Sequence, residues 1–117
     1  MNIHWHELAY TALYEVEDYI FNRFGEKVRQ EFMDDVDQAV LSLAKMPEIG
    51  MIDPLFEHRH ETYRSIIVRR LNKIIYYVKD DTLHIAGFWD ARRDSKTQAK
   101  LVEEYGVSSI SKCNCMR

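Results

Sequence analysis

The sequence predicts an α+β fold, an N-terminal αα-hairpin packed on a three- to four-stranded antiparallel β-sheet. Three observations carry this. Up to Pro47, apolar residues recur at helical spacing along two stretches divided by one glycine. After residue 61 the pattern changes to short runs rich in Ile, Val, Tyr and Trp. The links between those runs are short enough for hairpins. At 117 residues the chain suffices for one core and not for two.

A short β-like start at Ile3 and Trp5 offers a further edge strand. Ala9, Leu13, Val16, Ile20 and Phe24 then mark one face of a first helix, and Gly25 stands where a helix end favours a residue tolerant of left-handed backbone. A second helix from about Glu26 carries Val28, Phe32, Val36, Val40 and Leu43, and Pro47 ends it. So short a link implies an antiparallel pair. Tyr10, Tyr14 and Tyr19 are read as packing residues. Residues 47–61 form a connector holding both prolines. Strands are expected at Thr62–Val68, Lys73–Val78 and Thr82–Trp89, joined by Arg69–Asn72 and Lys79–Asp81. Their sheet needs a cover, and the helix pair is the available one. The expected core draws on Leu13, Val16, Ile20, Val28, Phe32, Val36, Val40, Ile67, Ile74, Tyr76, Ile85 and Phe88. A short helix over Ser95–Tyr105 closes a single domain of residues 1–105. Residues 106–117 form a polar tail expected to be flexible.

Apolar residues make up 46% of the chain and charged residues 30%, an ordinary globular balance. No run of eighteen apolar residues and no secretory signal pattern is visible, which points to a cytoplasmic chain. Cys113 and Cys115 are poorly spaced for a mutual disulfide and too few for a zinc site, so they read as reduced thiols. Charge is uneven. Residues 1–57 hold 4 Lys/Arg against 12 Asp/Glu, a balance of −8, whereas residues 58–117 hold 12 against 7, a balance of +5. Asymmetry of this kind hints at a charged partner surface.

Few motifs carry chemistry. His4-x-His6 and His58-x-His60 each lack a third ligand at an expected spacing, so neither predicts a metal site. There is no phosphate-binding glycine loop and no nucleophile elbow. The acidic pairs Glu17/Asp18 and Asp34/Asp35 read as solvated helix faces. The cations of the sheet stand out more. Arg64 opens the first strand, Lys73 opens the second, and Arg92 and Arg93 follow the third. Strand alternation groups Arg64 with Ile66 and Val68, and Tyr63 with Ser65 and Ile67. A meander can gather such cations on one surface suited to RNA phosphate or an acidic protein segment. Equally, they can simply solubilise a sheet edge.

The segment from Tyr63 to Asp94, "YRSIIVRRLNKIIYYVKDDTLHIAGFWDARRD", resembles the RelE/ParE superfamily, toxins of bacterial type II toxin–antitoxin pairs. An aromatic-Arg start, a strand, a basic turn, "IIY-V", an acidic turn and a strand ending in "RRD" follow in the family's order. The acidic helical first half and "MPEIG" (Met46–Gly50) are similar too, so the resemblance spans about residues 1–100. It implies a growth-inhibiting toxin held in check by a cognate antitoxin whose amphipathic segment wraps the domain. RelE-like members cut messenger RNA on the ribosome without metal or cofactor; ParE-like members inhibit DNA gyrase. Matched by position, Arg64, Lys73 and Arg93 fall where RelE-like nucleases place phosphate-holding cations. The nuclease tyrosine falls near Ala99 and is missing, with Tyr105 six residues later, and Ile66 replaces one of two lysines. His84 is the nearest substitute proton carrier. The resemblance thus leaves three readings: a metal-independent endoribonuclease, a gyrase-binding toxin, or an inactive member kept for antitoxin binding and autoregulation.

Overall fold

A computed structural model describes residues 1–57, 59–69, 72–90 and 111–113. Strand β1 (Asn2–His6) leads directly into α1 (Glu7–Phe24) and α2 (Glu26–Lys45). Gly25 makes the reversal at φ 92° and donates its N–H to Phe21 O at 2.9 Å. The hairpin is tied by Arg29, whose guanidinium grips Glu26 with two nitrogens and reaches Glu17 of α1 at 2.7 Å. Glu17 is therefore buried rather than part of a solvated face. Two 3-10 turns, Pro47–Ile49 and Pro54–Phe56, flank a two-residue strand β2 (Met51–Ile52). Then come β3 (Arg64–Val68), β4 (Asn72–Lys79), β5 (Thr82–Asp90) and β6 (Ser111–Cys113).

The sheet has six strands in the order β2-β3-β4-β5-β1-β6. The α+β class and the helix pair are as the sequence predicts, but the strand count is higher and the sheet is mixed. β1 lies parallel to β5, pairing Ile3 with Leu83 and Trp5 with Ile85. The reason is connectivity: hairpins force antiparallel neighbours, whereas β1 reaches β5 across both helices and three further strands. Ser111–Cys113, inside the expected tail, pairs antiparallel with β1. The helix expected over Ser95–Tyr105 lies outside the described residues.

The hairpin between β4 and β5 turns on Asp80 and Asp81, both with φ near +55° (54° and 57°). Two left-handed residues give the turn whose twist matches the strands, and Asp tolerates that backbone better than most side chains.

One sheet face packs on the helices. Its core joins Leu13, Phe32, Val36, Val40 and Leu43 to Trp5, Ile74, Tyr76, Leu83, Ile85 and Phe88, with Val16 and Ile20 partly buried against it. Ile67, expected in the core, is instead 52% exposed. It is paired with Lys73 and points to the other face, away from α1 and α2. Tyr14 and Tyr19 are likewise more than half exposed. The second face has its own small core of Phe56, Ile75, Ala86 and Trp89, bordered by Leu8, Leu55, Tyr63 and Tyr77. Among the described residues no helix is long and apolar enough to cross a membrane.

Candidate functional site

Of the predicted cations, Arg64 and Lys73 do not share a face. Arg64 pairs with Tyr76 across β3 and β4, while Lys73 pairs with Ile67 and with Trp89. Residues paired across strands point the same way. Arg64 therefore lies on the helix-covered face and Lys73 on the opposite one. Arg92 and Arg93 lie outside the described residues, as do Ala99 and Tyr105.

Each of the two described cations is committed locally. Arg64 Nη1 donates to Gly50 O at 2.8 Å. The same connector is held by Tyr76, whose hydroxyl donates to Pro47 O at 2.6 Å and accepts from Gly50 N–H at 2.9 Å. Gly50 has to be glycine at this approach, because a Cβ there would lie 2.3 Å from the Tyr76 hydroxyl oxygen. Arg64 thus helps fasten the "MPEIG" segment to the sheet. On the other face, Lys73 Nζ sits 2.8 Å from Oδ2 of the buried Asp53. Asp53 also caps the second 3-10 turn by accepting from Leu55 N–H at 3.0 Å. Sequence reading missed Asp53, since nothing in the connector distinguishes a buried acid from an exposed one.

The second face carries a continuous run of aromatic rings. A ladder of rings crosses it: Phe56 stacks on Tyr63 with centroids 4.9 Å apart, Tyr63 meets Tyr77 at 5.1 Å, and Tyr77 stacks on His84 at 4.7 Å and 7°. His6 closes it edge-on to Tyr77 and to His84, with Nε2 3.3 Å from the Tyr77 hydroxyl. β5 carries a bulge here. Ile75 pairs with Gly87 and Tyr76 with Ile85, so Ala86 is the extra residue. The Trp89 ring lies over Gly87, where a Cβ would be 2.4 Å from its Cζ3.

These groups are tuned by enclosure. Burial, and then the charges of His84 and His4, push the His6 imidazole down to about 4. Burial chiefly lowers His84 as well. Tyr77 is pushed up to about 12, first by burial and then by Tyr63 and Glu61. At neutral pH the ladder is therefore uncharged, with neutral imidazoles and protonated phenols. His84, weighed from sequence as a substitute proton carrier, lies stacked against Tyr77, two strands from Arg64 and on the other face.

A family model described as the ParE toxin of type II toxin-antitoxin system, parDE, matches residues 3–95. Among solved structures, a chain of the chromosomal ParDE TA system from P. aeruginosa shares the fold with a TM-score of 0.62 and 18% identity, over 77% of this chain and 95% of that one. No curated protein matches.

Proposed function

Given that the chain belongs to the ParE toxin family of type II toxin–antitoxin systems, we propose that it inhibits growth by binding DNA gyrase and not by cutting messenger RNA. The observation that carries this reading is the separation of Arg64 and Lys73 across the sheet. A metal-independent nuclease must converge cations on one phosphate where charge develops. Here Arg64 is turned to a backbone carbonyl on one face and Lys73 to a buried carboxylate on the other. An uncharged ring ladder and a paired lysine suit contact with a protein better than with a phosphate chain.

The partner implied by membership is a cognate antitoxin, and the reading places both in the cytoplasm. Exposed apolar side chains support such a partner: Met51 and Ile52 on the edge strand, with Tyr14, Phe21 and Phe24 on α1. Co-purification with the product of the adjoining reading frame tests the pairing. Induction of the unmodified chain tests the mechanism. Loss of gyrase supercoiling in purified reactions, with messenger RNA intact in induced cells, is expected. Ribosome-dependent cleavage that disappears in Arg93→Ala would restore the nuclease reading, and unimpaired growth would leave the inactive-member reading.

A further inference from the structure

Three imidazoles that the sequence scatters over positions 4, 6 and 84 meet on the second sheet face, where β1 runs beside β5. His4 and His84 are register partners with ring centres 5.4 Å apart. His6 lies 5.6 Å from His84 and 6.2 Å from His4. His84 thus stands on one side of a strand seam and two imidazoles on the other. Among the described residues no other seam is straddled by histidines. The seam is also short. Its register runs only from Asn2–Thr82 to Trp5–Ile85, whereas β4 follows β5 from Asn72–Asp90 to Lys79–Thr82. It is the one parallel pairing among the described strands, and parallel pairing is slightly weaker per residue.

A proton on this cluster would find no partner. His6 is 3% exposed and its Nδ1 has no hydrogen-bond partner among the described residues, and the same holds for the buried Nδ1 of His84. The Tyr77 hydroxyl, 3.3 Å from His6 Nε2, serves only that nitrogen. An imidazolium carries N–H on both nitrogens, so each of these two rings, once charged, would hold a buried donor without an acceptor. The facing groups do not offset this. β4 presents the Tyr77 phenol and the Lys79 ammonium, and Tyr63 beside Tyr77 is a second phenol. Glu61, ahead of β3, is paired with Lys79 at 3.5 Å. On α1, Glu7 adjoins His6 but is exposed, and β6 brings Cys113 opposite His4. Burial first, and then the neighbouring imidazoles, accordingly hold His6 and His84 below the ordinary range.

We propose that His4, His6 and His84 form an acid-sensitive latch on the N-terminal strand: neutral, they let β1 lie against β5, and charged, they part that seam while the β2–β5 meander stays folded on the helices. Like charges on opposite sides of a seam are relieved by parting it, and water then reaches both Nδ1 atoms. No such relief acts on the joint of β3 with β4. Trp5, 1% exposed and edge-on to Tyr10, would be uncovered with β1.

The test is hydrogen exchange of the full-length chain at about pH 7 and about pH 4.5, with protection corrected for the intrinsic rate at each pH. At the lower pH, β1 amides are expected to lose at least about tenfold more protection than β4 amides. His84→Phe keeps a ring on Tyr77 but removes the charge across the seam, so it should hold β1 protection at the lower pH close to its neutral value. His4→Gln, at a partly buried ring, should retain part of it. Acid loss that is equal in β1 and β4 overturns the proposal, as does β1 protection that survives unchanged. So does a loss in β1 that neither variant diminishes.

Discussion

Lys73 stands at a position where the family resemblance expects a phosphate-gripping cation, but its charge is matched by Asp53. The carboxylate is buried and the ammonium largely so. Removing one member of such a pair strands the other, so Asp53→Ala is expected to destabilise the fold by about 3 kcal/mol, read from urea midpoints. Replacing both, as Asp53→Ala with Lys73→Met, should recover most of that loss. An unchanged midpoint in the single variant would mean that Lys73 is free to serve another role. Tyr76 offers a second residue-scale test. Its hydroxyl serves both Pro47 O and Gly50 N–H in a buried setting, so Tyr76→Phe should cost about 1–3 kcal/mol. Hydrogen exchange at the Gly50 amide should rise with it. Neither role was visible in the sequence, where Tyr76 reads simply as a core aromatic and Asp53 as one acid among many.

At the scale of elements, the helices were legible because period and punctuation agree: Gly25 and Pro47 fall at the helix ends, and most of each apolar stripe is buried, Phe24 and Val28 beside the reversal being the exceptions. The meander was legible for the same reason. What escaped was that Arg64 and Lys73 take opposite faces, because the registers of β3 with β4 and of β4 with β5 are not revealed by composition. The turn at Asp80 and Asp81 can be improved on. Asn-Gly suits two left-handed positions better, so Asp80→Asn with Asp81→Gly should stabilise by roughly 0.5–1 kcal/mol in thermal unfolding. The pairing of β1 with β5 carries a pH dependence. His6 faces His4 on its own strand, His84 on β5 and Tyr77 on β4. Its folded value of about 4 lies below the ordinary 6.5, so the unfolded chain takes up the proton first as pH falls. The stabilising contribution is complete above about pH 6.5 and is lost toward pH 4, on the order of 3 kcal/mol. Urea midpoints across that window check it. A His6→Asn variant should show a flatter profile, and an equal slope in both proteins would assign the effect to other groups.

Over the whole molecule, class and family were readable while topology was not. Strand order depends on contacts between the two ends of the chain, and β1 gives no local sign that its neighbour will be β5. That placement also has a consequence in time. β1 is made first, and both of its sheet neighbours, β5 and β6, are made late. Residues 7 to 81 lie between His6 and Thr82, so at about 5–20 residues per second the ribosome needs roughly 4–15 seconds before the first partner strand begins to exist. Throughout that interval the sheet has a gap where its oldest strand belongs. The nascent chain therefore cannot close its sheet until β5 and β6 have both been made.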